Sequence, residues 1–263
     1  MTGIQITWLG TAGFSICAGG THILMDPHLS RPPRATPHQP WDSEDLVRHL
    51  GEPDAAFLSH GHFDHAMDLP ALAAAAPDMD IYCNAVPARK LQRLGVPDHH
   101  IYTVTPNTTP IPVGEIHALP RPSRHVRFDL PLIFSTPWHG GLEFFRLMKN
   151  YPCGQVLSWR FRIRGKNILF FGSAGPTKRE LTELAKEETY LLMLPLQGHS
   201  KICNIAANMV DILRPKHVLP HHMDDFYPPI SQSVDLQPFL DRVRTRHPEI
   251  RIRIPEINTT MEL

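Results

Sequence analysis

The chain has 263 residues, 42% hydrophobic and 20% charged, and its 26 basic and 26 acidic side chains leave no formal net charge. This is the composition of a soluble globular protein with a buried core, in one domain or two, and the balance of charge gives no overall footprint for nucleic acid or an anionic membrane. The 17 histidines are far more than a chain of this length ordinarily carries, and the 27 prolines point to many rigid loops between short elements.

The opening reads as strand, turn, strand, strand: Ile4 to Trp8, a Gly10/Gly13 turn, Phe14 to Cys17, a Gly19-Gly20 hairpin, and His22 to Met25, closed by Asp26-Pro27. A Pro-rich loop follows from Leu29 to Trp41. Asp42 or Ser43 is placed to cap a helix through Leu50, with Glu44 and Asp45 in its first turn. Ala55 to Leu58 is a short buried strand, Leu69 to Ala76 a helix, Ile81 to Cys83 a strand, and Pro87 to Leu94 a helix stopped by Gly95. Ile101 to Thr105 and Glu115 to Leu119 are strand-like. From Pro120 to Gly154 the pattern breaks into a Pro-, Phe- and Trp-rich stretch with a Gly140-Gly141 pair, read as an irregular lid or as an ordinary packed subdomain. Regular structure resumes with strands Val156 to Ile163 and Asn167 to Phe171, helix Thr177 to Lys186, strand Tyr190 to Leu194, and helix Ile202 to Leu213. It ends with strand His217 to Leu219, helix Val234 to Thr245 and strand Arg251 to Ile254. Two β-rich halves, each followed by helices, imply an α/β chain with two sheets packed together and helices outside, in one domain over 1–263 with an insertion at about 120–154.

Cys17, Cys83, Cys153 and Cys203 are scattered with no C-x-x-C, so neither a disulfide framework nor a zinc ribbon is indicated and they read as reduced thiols of a cytoplasmic protein. No signal peptide is expected from the start of the chain. No run reaches the roughly 18 apolar residues of a membrane span, and oligomeric state is unreadable.

The chemistry concentrates in S-H-G-H-F-D-H, Ser59 to His65, directly after the strand ending at Leu58. Imidazole nitrogen and carboxylate oxygen are good ligands for zinc and similar divalent ions. His60 and His62, two apart in an extended segment, can point the same way and hold one ion; Asp64 and His65 lie beyond, facing a second position, and Gly61 gives the turn backbone freedom. Four candidate ligands within six residues outweigh the alternative of a histidine-rich surface loop.

The pattern H-x-H-x-D-H after an apolar strand resembles the metal-binding signature of the metallo-β-lactamase superfamily. The resemblance extends over most of the chain: I-T-W-L-G-T-A-G-F-S-I resembles that fold's opening strands, and Asp26 in I-L-M-D-P matches an early aspartate that supports the metal loop. Within the superfamily the chain looks most like the ascorbate-6-phosphate lactonase and N-acyl-phosphatidylethanolamine phospholipase D type branch. The resemblance implies an αββα sandwich and a third histidine on the first metal, for which His125 is the choice over His117, which lies within a strand, and His139, beside Trp138. It also implies a late histidine on the second metal: His221 or His222 in H-V-L-P-H-H-M-D-D-F, with the P-x-H spacing favouring His222, and Asp224 or Asp225 as a hydrogen-bond partner for a ligand. One position departs. Superfamily members carry a metal-bridging aspartate after the strand that here reads I-L-F-F-G, and Ser173 stands there. A neutral hydroxyl is a poor bridge, so the second site is expected to be weaker, more hydrated or empty; the other reading of Ser173 is a cap before the helix at Thr177.

These residues imply a hydrolase in which one or two divalent ions, zinc first with Mn, Fe or Ni as alternatives, activate water against an ester, lactone or phosphodiester bond. Asp64 is the expected base or orienter of that water, and Phe134, Trp138, Phe144 and Phe145 are placed to line a lid over a small-molecule or lipid-like substrate. A mononuclear enzyme, or a metal-binding or ligand-sensing module without turnover, are the alternatives. His199 and the arginines Arg121, Arg124 and Arg127 rank lower as substrate contacts.

Overall fold

The strand residues that alternate in the sequence alternate in space. In the computed structural model, which describes residues 3–37, 41–106, 108–135 and 138–263 (of 135, 138–141 and 143 the backbone only), strands β1 (Ile4–Gly10), β2 (Gly13–Ala18), β3 (Thr21–Met25), β4 (Ala55–Phe57), β5 (Asp80–Cys83) and β6 (Ile101–Thr103) lie in one sheet. Strands β7 (Ile111–Val113), β8 (Ile116–Pro122), β9 (Leu157–Ile163), β10 (Lys166–Phe171), β11 (Leu191–Pro195), β12 (His217–His221) and β13 (Arg251–Ile252) form a second. Strand β14 (Thr260–Glu262) returns to pair with β1, completing a sheet ordered β14-β1-β2-β3-β4-β5-β6 against one ordered β13-β12-β11-β10-β9-β8-β7. Each is mixed: β1–β2–β3 and β7 through β10 run antiparallel, while β3 through β6 and β10 through β13 are parallel.

The two faces of the central strands go to different cores. Ile4, Ile6, Phe14, Ile23, Phe57, Ile168, Phe170 and Met193 meet between the sheets. Leu24, Ala56 and Ile81 face outward onto helices α1 (Ser43–Leu50), α3 (Leu69–Ala75) and α4 (Ala85–Arg93). Leu169, Phe171, Leu192 and Leu194 face outward onto α7 (Lys178–Leu184), α8 (Ile202–Leu213) and α9 (Gln237–Arg246). Strands covered on both sides lose the polar alternation of a half-exposed sheet, which is why I-L-F-F and L-L-M-L are apolar throughout. Phe57 is wedged among Tyr82, Trp159 and Phe161 at centroid distances of 4.9–5.4 Å. Such contacts stabilise by about 0.5–1.5 kcal/mol each beyond burial, and they fix the strand that runs into Ser59.

Three helix starts carry side chains that cap them. Asp42 accepts the Asp45 N–H at the start of α1, Asn84 does so for α4, and Thr177 forms a reciprocal capping box with Glu180 at α7. Ser173 therefore has no capping role. The stretch at about 120–154, which reads from sequence as an irregular lid or a packed subdomain, holds two helices among the described residues, α5 (Leu130–Ser135) and α6 (Trp138–Asn150). Pro131 sits in the first turn of α5, where no N–H is required, and Gly140-Gly141 fall in the first turn of α6. Strands β7 and β14 were not expected, being three residues each. Strand β12 also continues through Pro220, because β13 pairs only with His217 and Val218 and no neighbour on that side needs the missing N–H.

Asp26 follows β3, Ser59 and His60 follow β4, Ser173 follows β10 and His222 follows β12. The carboxyl ends of parallel strands from both sheets thus open onto one edge, the usual place for a site in an open α/β sheet.

Candidate metal centre

Beyond β4 the chain passes through His60, Gly61 and His62 into the short helix α2 (Phe63–Ala66), which presents Asp64 and His65. Nε2 of His60 lies 3.1 Å from Nδ1 of His62. On the other side of the loop, Oδ2 of Asp64 lies 3.6 Å from Nε2 of His65 and 3.2 Å from Nε2 of His222. Two positions are thereby outlined. Among the described residues, ligand atoms converge within 4.8 Å in Asp64–His65–His222, in His60–His62–Cys153 and in Asp26–His60–His65.

Asp26 organises both positions. Its carboxylate accepts the Ser59 N–H at 2.7 Å and the Ser59 hydroxyl at 2.5 Å, and stands 2.8 Å from Nδ1 of His65. Ser59 Oγ is in turn 2.8 Å from Nδ1 of His60. One buried carboxylate thus turns Nε2 of two imidazoles into the site, the support that metal-binding histidines require. The loop leaves no spare room: a Cβ on Gly172 would lie 1.9 Å from Ser59 Oγ.

His125 approaches from the loop after β8, its ring centre 4.7 Å from that of His62 and 5.2 Å from that of His60. Its Nδ1 is satisfied by the Val126 carbonyl at 2.6 Å, leaving Nε2 for the site. Ser173, at the position where the resemblance expects a bridging carboxylate, accepts the Val126 N–H at 2.9 Å and so anchors the loop that carries His125.

His222 takes a left-handed backbone, φ 52°, and its N–H is held by the Thr11 carbonyl at 2.7 Å. His221 points the other way, stacked on Phe170 at 5.3 Å and edge-on to Phe14 at 5.2 Å, in the inter-sheet core. Asp224 does not reach the histidines. It pairs with buried Arg31 and accepts the Thr11 N–H at 3.0 Å, steadying the segment that holds His222, while Asp225 accepts from Ser231. His117 is exposed on β8, opposite Arg162, and the side chains of Trp138 and His139 lie outside the described residues. Arg121 and Arg124 are engaged by Glu187 and Glu180, and Arg127 is exposed. His199 lines the cavity described below, its Nδ1 accepting the Lys201 N–H at 2.9 Å.

Burial pushes the His60, His62 and His125 imidazoles down, His62 to about 3, and neighbouring imidazoles add to the effect at each. They are therefore neutral, with free lone pairs, at ordinary pH. At Asp64 burial acts upward, but His65 and His222 outweigh it and keep the carboxylate ionised. His65 is raised: burial acts downward, and Asp26 with Asp64 prevails. Three neutral imidazoles beside an ionised carboxylate form a donor set that fits a divalent cation. The sequence reading missed Cys153. No motif marks it; the loop before β9 brings it to His60 and His62.

Beside these groups opens a cavity of about 1140 Å³ with Phe128, Phe144, Met148, Phe226, Ile230 and Val234 among its walls. Phe134 and Phe145, 82% and 72% exposed, stand at its margin on α5 and α6.

A four-layer sandwich that gathers histidines and a carboxylate at its strand ends has the architecture of the metallo-β-lactamase fold. Residues 21–223 match the family described as the beta-lactamase superfamily domain, and the chain belongs to that superfamily. It is 27% identical over 228 residues to a UPF0173 metal-dependent hydrolase of Cupriavidus taiwanensis, covering 83% of this chain and 73% of that protein. It is 25% identical over 266 residues to another of that description from Lawsonia intracellularis, covering 98% of each. Among solved structures, Igni18, a metallo hydrolase from the archaeon Ignicoccus hospitalis, shares the fold with a TM-score of 0.73 at 18% identity, covering 100% of this chain and 99% of that one.

Proposed function

We propose that this metal-dependent hydrolase acts on an ester, lactone or phosphodiester bond of a small amphiphilic molecule, with His60, His62 and His125 holding one divalent ion and Asp64, His65 and His222 a second. The carrying observation is the junction of the His/Asp cluster with a large apolar cavity, a concave site with a few convergent polar groups. A divalent ion bound there, zinc first among the candidates, supplies Lewis acidity and brings the pKa of water toward neutrality. Asp64, ionised and 3.2 Å from His222, accepts a hydrogen bond from the water and fixes its direction of approach. Such a depressed carboxyl is a weak base, so orientation is its main part. The aromatic walls take the apolar portion of the substrate and exclude bulk water, and His199 and Gln197 stand at the polar rim.

A mononuclear form is the second reading, favoured by Ser173, which supplies no bridging charge and is already engaged by Val126. Metal analysis tests the whole proposal. Wild-type protein carries at least one ion per chain, and His60→Ala with His62→Ala loses it; unchanged metal content in that double variant sinks the reading. With p-nitrophenyl esters of increasing acyl length, kcat/KM rises with chain length, and Phe144→Ala flattens the rise. Silence of the metal-loaded protein on esters, lactones and phosphodiesters alike favours a sensing module.

A further inference from the structure

Gly61, between His60 and His62, donates its N–H to the Cys153 carbonyl at 2.8 Å, and a Cβ on Gly61 would come within 2.4 Å of the Pro152 carbonyl oxygen. The segment leading into β9 is therefore laid directly against the metal loop. It is fastened at further points: Leu157 N–H to the Ser59 carbonyl at 2.8 Å, Trp159 Nε1 to the Leu58 carbonyl at 2.9 Å, and Asn84 Nδ2 to the Gln155 carbonyl at 2.7 Å. Cys153 is consequently placed by backbone geometry, and its Sγ lies within 4.8 Å of ligand nitrogens of both His60 and His62.

We infer that Cys153 is a thiolate ligand of the ion held by His60 and His62. The inference rests on the proposed metal site and adds a residue to it. Zinc–sulfur bonds of about 2.3 Å and zinc–nitrogen bonds of about 2.0 Å span tetrahedral edges of about 3.5 Å, so the observed convergence needs only a modest side-chain rotation. Ser173 brings no carboxylate to this position, and a thiolate, being soft, favours zinc over magnesium or calcium. Burial and the nearby Asp64 carboxylate push the free Cys153 thiol up to about 12, so it holds its proton until an ion arrives; binding replaces the S–H bond with a sulfur–metal bond and releases the proton to solvent.

X-ray absorption at the zinc edge of the metal-loaded wild-type protein decides the matter without any variant: a sulfur scatterer at about 2.3 Å is expected. Cobalt-substituted protein should show a thiolate-to-cobalt charge-transfer band in the near ultraviolet, lost in Cys153→Ser and retained in Cys203→Ser. Bound zinc with only nitrogen and oxygen neighbours, or a band untouched by Cys153→Ser, overturns the inference while leaving the proposed hydrolase intact. A wild-type chain that binds no metal overturns both.

Discussion

Asp26 Oδ2 stands 2.8 Å from Nδ1 of His65, and the same carboxylate reaches His60 through the Ser59 hydroxyl. Both rings are fully enclosed, so each depends on that carboxylate for its orientation and tautomer. Asp26→Asn preserves shape and tolerates the local φ of 37°, but it weakens the acceptor on which both rings rely. Metal affinity should fall about 10–100-fold, measured by competition with a chromophoric chelator. An unchanged affinity would mean that the rings are held by packing alone.

Ser173 separates two consequences that a bridging aspartate would combine. Ser173→Ala leaves the buried Val126 N–H without its acceptor and should cost about 1–3 kcal/mol in chemical denaturation, with His60 and His62 still binding metal. Ser173→Asp places a carboxylate where the superfamily resemblance expects one. Calorimetric titration should then show a second binding step that is absent or weaker in the wild type. If the wild type already shows two tight steps and Ser173→Asp changes neither, the missing carboxylate does not limit the second position.

His221 and His222 are adjacent in sequence and opposite in consequence. His221→Ala empties a space between Phe14 and Phe170 and should destabilise by about 2–4 kcal/mol without changing metal stoichiometry. His222→Ala removes the partner of Asp64 and should reduce binding at the second position with little loss of stability. Paired denaturation and metal titrations of the two variants read this out, and the reverse pattern would contradict the assignment.

The sandwich was legible because apolar strands such as Asn167–Phe171 and capped helices such as that at Thr177 carry their signals locally. The cluster from His60 to His65 was legible for the same reason. Cys153 was not, since its place depends on the Gly61 N–H and on strand pairing far away in sequence. The role of Ser173 was hidden in the same way: its partner, Val126, lies 47 residues earlier in the chain. The helices α5 and α6 escaped because proline and glycine in a first turn look like breakers until the helix start is known.

Asp68 provides an acid-sensitive anchor for the loop beside the site. Its carboxylate accepts the Leu29 N–H at 2.5 Å, the Ser30 N–H at 2.8 Å and the Ser30 hydroxyl, with Nδ1 of His28 at 3.5 Å. Burial pushes this carboxyl upward, but His28 and Ser30 outweigh it and hold it at about 2, below the ordinary 3.8. A depressed carboxyl stabilises the fold above its unfolded value, and that contribution disappears as pH falls through the folded one. The shift corresponds to about 2 kcal/mol, fully present at neutral pH and lost between about pH 4 and pH 2. Asp68→Asn should therefore be less stable by about that amount at pH 7, with the gap narrowing below pH 4 and closing near pH 2. Urea unfolding of both metal-free proteins across that range measures it. A difference that stays constant with pH would assign the loss to the hydrogen bonds alone and not to the ionised carboxylate.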